Sequence, residues 1–168
     1  MSVRVARQED AQAVAAVHVH SWQAAYRGLL PDDYLDALRP EDRVAHYTFD
    51  SPDANLPATI VALEDGAICG FVTTGPSRDP DAAGMGEVLA LYVVPEAWGT
   101  GVGARLVSEA RAHLGHMGFT EAVLWVLVGN DRAQHFYRTD GWQADDGRRR
   151  EELWGVVVDE VRFRRRLP

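Results

Sequence analysis

The sequence predicts a mixed α/β fold, a single domain over residues 1–168 in which helices flank one sheet. Two runs of β-forming residues, 59–63 and 67–74, flank Asp65-Gly66, a dipeptide that supplies the positive φ angles of a tight hairpin turn. A strand, an amphipathic helix and an apolar strand follow one another within residues 87–128, an order typical of a parallel strand pair. The chain has 168 residues, 46% hydrophobic and 25% charged, which is ordinary globular composition.

The N-terminal part is predicted to be mainly helical after a short first strand at residues 3–5. Apolar residues recur at helical spacing over residues 11–18. A further helical region continues through residues 22–38, with breaks at a glycine and a proline, and Pro40 is expected to open another helix that covers residues 44–47.

The second half is predicted to alternate strands and helices after a loop rich in Pro, Asp and Gly. The run 121–128 is almost wholly apolar, as expected for a strand covered on both faces. The final strand is expected to be an exposed edge, which a homodimer could use. The predicted elements are a loop at 76–86, a strand at 87–94, a helix at 102–117 stopped by Gly118, a strand at 121–128, a helix at 130–137, a strand from Gly141-Trp142 and a last strand at 153–164.

Charge argues against a nucleic-acid partner. The net charge is −8, and all seventeen basic residues are arginine, since the chain contains no lysine. From Arg148 onward, seven Arg and four acids give +3, so the remainder, with ten Arg and twenty-one acids, carries −11. A net-acidic body does not suit binding to a phosphate backbone.

Several other classes are excluded by composition. Cys69 is the single cysteine, so neither an internal disulfide nor a cysteine-based zinc site can form. The six histidines lack a compact ligand spacing, and we expect no metal. There is no apolar run long enough to span a membrane and no apolar signal core near Met1, so a cytoplasmic protein without a membrane partner is expected.

The segment from Pro95 to Arg105 carries the strongest chemical signal. Three alternate glycines, Gly99, Gly101 and Gly103, lie between a predicted strand and a predicted helix. Glycine lets the backbone approach a ligand closely, and a helix N-terminus presents unpaired N–H groups. This combination predicts a site for a phosphate or pyrophosphate.

The rest of the chain limits which phosphate-containing ligand this site could bind. A Walker-type ATP loop requires a lysine, which the chain lacks. The dinucleotide fingerprint does match the glycines together with Ala104, but Glu121 precedes its strand, whereas the ribose-binding acid should end it. A dinucleotide-binding protein therefore stays a weaker alternative.

Two blocks of the sequence resemble the GNAT superfamily of N-acetyltransferases. Leu91-Tyr92-Val93 and Pro95, followed by the alternate glycines, are similar to its acyl-CoA-binding motif. The second block is similar to the family's Asn…Ala…Phe-Tyr…Gly-Phe segment and comprises Asn130, Ala133, Phe136-Tyr137 and Gly141-Trp142. The resemblance covers almost the whole chain.

The resemblance implies a mostly antiparallel sheet whose central parallel pair, residues 87–94 and 121–128, splays apart and is flanked by helices. It implies acetyl-CoA as cosubstrate, with the pantetheine arm between the parted strands. The implied cofactor-binding residues are Leu91, Tyr92, Val93, Trp98, Gly99, Thr100, Gly101, Val102, Gly103, Ala104, Asn130, Ala133 and Phe136. The family usually has Arg or Gln where this chain has Trp98, so a side-chain contact to phosphate is missing, which Thr100 or Arg105 could replace.

Tyr137 and Glu87 are the candidate catalytic residues. The resemblance places Tyr137 near the sulfur, where a phenol can protonate the departing thiolate; the alternative is aromatic packing. An attacking ammonium must first lose a proton, and Glu87 on the central strand could take it directly or through water. The alternative for Glu87 is an exposed strand acid, and Asn130 could equally be a helix N-cap.

The acceptor pocket is less well defined. Trp22, Tyr26 and Tyr34 could line it, although packing in the helical core explains them as well. A partly buried histidine is the simpler interpretation of His18 and an inert buried thiol that of Cys69. The resulting expectation is acetyl transfer from acetyl-CoA to a small-molecule or peptide amine, with a non-catalytic acyl-CoA sensor as the alternative.

Overall fold

A computed structural model describes residues 1–51, 53 and 56–168. Seven strands form one sheet in the order β1-β2-β3-β4-β5-β7-β6, and every neighbouring pair is antiparallel except β4 and β5. The strands are β1 Ser2–Val5, β2 Ala58–Glu64, β3 Ala67–Pro76, β4 Gly86–Val93, β5 Glu121–Leu127, β6 Gln143–Leu153 and β7 Val156–Arg166. The mixed, mostly antiparallel sheet is confirmed.

Helices cover both faces of this sheet. Neighbouring residues of one strand point to opposite faces, and in β2 Ala62 packs with the residues of α4 while Val61 packs with those of α1. The two helices therefore lie on opposite sides. The helices are α1 Ala11–Ala25, α2 Asp32–Ala37, α3 Glu41–Val44, α4 Val102–His116 and α5 Asp131–Thr139.

Local turn chemistry explains two of the predicted boundaries. Asp65 and Gly66 adopt φ angles of 50° and 83° between β2 and β3, as expected for a tight hairpin turn. Gly118 has a φ of 93° just beyond α4, and the N–H of Phe119 donates to the carbonyl of Leu114 at 3.1 Å. This left-handed glycine cap ends the helix as predicted.

The prediction that the last strand is an exposed edge is wrong. Strand β7 lies between β5 and β6, and its Phe163 is fully buried. The chain turns at Trp154-Gly155, with φ angles of 53° and 84°, so β6 and β7 form a long hairpin and β6 becomes the outer strand. A homodimer through an exposed β7 therefore has no basis in this fold.

Pro40 opens a helix as predicted, but α3 ends at Val44 and does not reach Tyr47. Tyr47 instead packs its ring against Phe71, with 5.8 Å between ring centroids. In the described part of the chain, no helix combines the length and apolar character needed to cross a membrane.

The central parallel pair positions the site. Strands β4 and β5 are paired only from Gly86↔Ala122 to Val88↔Leu124, although both continue for several residues beyond that point. The strands therefore part after Val88, and the expected splay is confirmed. A gap opens at this level of the sheet.

Candidate active site

A cavity of about 1100 Å³ occupies the gap and reaches both the N-terminus of α4 and the inner surface of α1. It brings together most residues predicted to form the site. Those on its wall are Glu87, Leu91, Tyr92, Val93, Trp98, Gly99, Gly101, Gly103, Ala104, Asn130, Ala133, Phe136 and Tyr137.

The glycine-rich turn forms one end of the cavity. Gly99 and Gly101 have φ angles of 77° and 95°, a conformation that L side chains rarely adopt. Within the described residues, no well-formed hydrogen bond to the chain itself occupies the backbone N–H groups of residues 99–104. These donors at the start of α4 are suited to holding an anion.

Trp98 has a defined position in this turn. Its indole Nε1–H donates to the carbonyl oxygen of Val93 across 2.7 Å. The guanidinium of Arg132, from the first turn of α5, lies 3.4 Å from the centroid of the Trp98 ring. Sequence reasoning missed Arg132, because nothing local connects it to residue 98.

The side chains of two predicted residues do not line the cavity, although their backbone N–H groups belong to the row at residues 99–104. Thr100 and Val102 are not among the wall residues; the Thr100 hydroxyl donates to the carbonyl of Ala97 at 2.7 Å, and the Val102 side chain is buried in the core. Arg105 also lies off the wall and pairs with Glu109 at 2.7 Å. The side chains of Thr100 and Arg105 therefore each already have a partner within the protein.

Helix α5 carries Tyr137 to the cavity. Asn130 caps this helix, since its Oδ1 accepts from the N–H of Ala133 at 3.1 Å, and it also lies on the wall. Burial raises the pKa of Tyr137, so its phenol stays protonated. Its hydroxyl has no hydrogen-bond partner in the described part of the chain, which leaves it able to donate into the cavity.

Glu87 is not an exposed strand acid. Its side chain is 2% exposed, and its Oε2 accepts from the backbone N–H of Arg78 at 3.1 Å. Burial raises the pKa of this carboxyl group. A buried carboxylate with an elevated pKa, facing a cavity, is typical of a group that exchanges protons.

Glu160 is a second buried carboxylate on the same wall, which sequence reasoning missed. It lies opposite Leu127 in the β5–β7 register, at the level that Leu91 would reach if β4 and β5 had stayed paired. Arg149 donates to it at 2.8 Å, and burial raises its pKa. The charge alternation in β6 and β7 did not indicate which acid faces inward.

The far end of the cavity is aromatic. His18 is buried, its Nδ1 is hydrogen-bonded to the Tyr47 hydroxyl at 2.7 Å, and its Nε2 has no partner in the described part of the chain. Trp22 and Tyr26 also lie on the wall, whereas Tyr34 does not; its hydroxyl donates to the carbonyl of Trp154 at 2.7 Å. The first helix therefore contributes two of the three predicted aromatic side chains.

Cys69 lies outside this arrangement. Cys69 is buried in β3, where burial raises the pKa of its thiol, as expected for an unreactive cysteine. Over residues 1–51, 53 and 56–168, no group of three or more His, Cys, Asp or Glu side chains is placed to hold a metal ion.

Comparisons with known proteins agree with this geometry. Residues 18–142 match the family described as the acetyltransferase (GNAT) family. The chain is 30% identical over 131 residues to the uncharacterized N-acetyltransferase YuaI of Bacillus subtilis (strain 168), covering 77% of this chain and 73% of the relative.

Solved structures share the fold. One is the PaiA N-acetyltransferase from Thermoplasma acidophilum in complex with coenzyme A, with a TM-score of 0.70, 22% identity, and coverage of 95% of this chain and 98% of the other. Another is the structure of YncA from Salmonella typhimurium with its cofactor acetyl-CoA, with a TM-score of 0.73, 18% identity, and coverage of 100% of this chain and 94% of the other.

Proposed function

Because the chain belongs to the GNAT acetyltransferase family, we propose that it transfers an acetyl group from acetyl-CoA to a primary amine by direct attack in a ternary complex. The observation that carries this proposal is one continuous cavity between the parted strands. It joins an anion site at the start of α4 to two buried carboxylates and a tyrosine hydroxyl. The two fold relatives bound to coenzyme A or acetyl-CoA support the same cosubstrate.

The residues present fit that cosubstrate. The unpaired N–H groups at residues 99–104 suit a pyrophosphate, and the unpaired edges of β4 and β5 beyond Val88 offer backbone groups for the amides of a pantetheine arm. When bound, acetyl-CoA supplies an activated acetyl group as a thioester. Backbone groups of Leu91, Tyr92 and Val93 line this gap, and a main-chain N–H of β4 polarises the thioester carbonyl.

Proton movements are assigned to side chains on the cavity wall. Glu87 takes a proton from the acceptor ammonium, directly or through water, so that the nitrogen gains a lone pair for attack. Tyr137 donates its proton to the departing thiolate, and its raised pKa keeps it in the protonated form that this step requires. No covalent intermediate on the protein is needed, and Cys69 is not on the wall of the cavity.

Calorimetric titration tests the cosubstrate first. We expect acetyl-CoA and CoA to bind, and NAD and ATP not to bind. Binding of NAD without CoA would support the dinucleotide alternative and overturn the proposal.

A panel of small amines, amino acids and peptides then tests catalysis, with release of the CoA thiol as the readout. Turnover with at least one amine is expected. Tight CoA binding with no thiol release from any member of the panel would favour a non-catalytic acyl-CoA sensor.

A further inference from the structure

The stacked pair of Trp98 and Arg132 forms part of the cavity wall beside Gly99 and Gly101. The indole is held by its hydrogen bond to the Val93 carbonyl, and the guanidinium carbon lies 3.4 Å from the centroid of its ring. Cation–π contact of this kind restrains an otherwise flexible arginine. An arginine is therefore fixed next to the row of unpaired N–H groups.

Among the residues that the structure describes, no acidic side chain neutralises the charge on Arg132. Partial burial lowers its pKa, and no acidic group of the described chain acts in the opposite direction. Arg105, which lies closer in sequence to the glycines, differs because its pairing with Glu109 balances its charge. Since an arginine stays protonated at any ordinary pH, Arg132 brings an uncompensated positive charge to the anion site.

We propose that Arg132, held flat on the Trp98 indole, binds the pyrophosphate of the CoA cosubstrate together with the N–H groups of the glycine-rich turn. The proposal rests on the proposed function. A guanidinium donates through a planar fork to two phosphate oxygens and carries a full positive charge, which a row of backbone N–H groups lacks. Residue 98 thus contributes indirectly: its ring positions a cation from α5 instead of supplying a polar side chain itself.

The test is calorimetric binding of CoA and of dephospho-CoA, which lacks the 3′-phosphate but keeps the pyrophosphate. Arg132→Ala should weaken both ligands by about tenfold, equivalent to about 1.4 kcal/mol. Arg138→Ala is the matched control, because it removes a charge from the same helix at a residue that is not on the wall. It should leave both dissociation constants unchanged.

Two further variants separate charge from position. Arg132→Lys keeps the charge but loses the planar stack, so it should lose part of the affinity. Trp98→Leu removes the indole on which Arg132 stacks. Because the two residues act as a unit, the loss of CoA binding free energy in the double variant with Arg132→Ala should be smaller than the sum of the losses in the two single variants. Thermal unfolding without ligand confirms that each variant is folded.

The outcomes are distinct. Equal affinity of Arg132→Ala and wild type, a loss seen with CoA but not with dephospho-CoA, or a larger loss from Arg105→Ala would each overturn the proposal for Arg132. Failure of the wild-type protein to bind CoA at all would instead overturn the proposed function. Similar losses of affinity for both ligands in Arg132→Ala, with unchanged affinities in Arg138→Ala, would support the proposal for Arg132.

Discussion

The imidazole of His18 lies parallel to the ring of Tyr92, with 4° between the ring planes and 5.2 Å between centroids. The edge of Trp154 and the hydroxyl of Tyr47 complete its surroundings. Burial, followed by the nearby charges of Arg43 and His46, lowers the pKa of His18 to about 3. The ring is therefore neutral at physiological pH.

This burial predicts a loss of stability on acidification. The folded-state pKa of about 3 lies below the unfolded value of about 6.5, so the unfolded chain binds the extra proton. The contribution of His18 is complete above pH ~6.5 and is lost as the pH falls towards 3, with a slope of at most about 1.4 kcal/mol per pH unit. Denaturant unfolding between pH 7 and pH 4 measures it.

His18→Gln is the matched variant for that measurement. It should be less stable than wild type at pH 7 and should lose less stability on going to pH 4. The buried acids Glu87 and Glu160 have raised pKa values, so their protonation favours the folded protein as the pH falls. Both proteins contain these acids, so their effect cancels in the comparison. Parallel pH profiles for the two proteins would contradict a buried neutral His18.

Tyr137→Phe tests the proton donor. The change keeps the ring and its packing against Phe136 and Trp142, so folding should be little affected. Because protonation of the thiolate matters in the transition state and not in the ground state, kcat should fall by ~10²-fold with the acetyl-CoA KM nearly unchanged. Steady-state kinetics with an accepted amine gives both values.

Tyr34→Phe provides the control, since it removes a hydroxyl that bonds to the Trp154 carbonyl and is not on the cavity wall. Its kcat should match wild type. An unchanged kcat for Tyr137→Phe, where chemistry is shown to be rate-limiting, would leave Tyr137 as a packing residue.

Gly101→Val tests the glycine-rich turn. The φ of 95° is strained for any side chain, and the added side chain would lie at the cavity wall, where we propose that the phosphate approaches the backbone. CoA binding should weaken by at least tenfold in calorimetry. Gly118→Val imposes the same strain, at a φ of 93° on the far end of α4; it should lower the unfolding temperature but preserve the CoA affinity of the folded protein.

Glu87→Gln tests the proton acceptor. Since burial raises the pKa of Glu87, kcat/KM for the amine should fall as the pH drops through that pKa, and the substitution should remove this acidic limb. Glu160→Gln is measured beside it. If the acidic limb of the pH profile disappears in Glu160→Gln and persists in Glu87→Gln, Glu160 is the proton acceptor instead of Glu87.

The absence of lysine predicts the result of incubating the protein with abundant acetyl-CoA. With no side-chain amine in the chain, intact-mass measurement should show at most one acetyl adduct, at the N-terminus. Arg148→Lys, on the exposed strand β6, adds a single acceptor and should permit one more. Several adducts on the wild-type protein would show that groups other than amines react.

Local sequence signals were sufficient for the parts of the fold that depend on neighbouring residues. Asp65-Gly66 and Gly118 were assigned correctly because positive φ angles are a property of the residue itself. Alternate glycines before a helix likewise pointed to the anion site. The Trp154-Gly155 turn was missed because tryptophan is not a turn-forming residue, and its φ of 53° is stabilised by contacts with distant residues such as Arg43 and His18.

The sequence by itself predicted the mixed α/β sheet, the glycine-rich turn before α4 and the family motifs, because each depends on residue types at short, fixed spacing. Only the tertiary structure decided that β7 is internal, that Glu160 reaches the same cavity as Glu87, and that Arg132 stacks on Trp98. These relationships join residues separated by more than thirty positions. They arise from strand order and from the crossing of helices over the sheet, which short-range patterns do not encode.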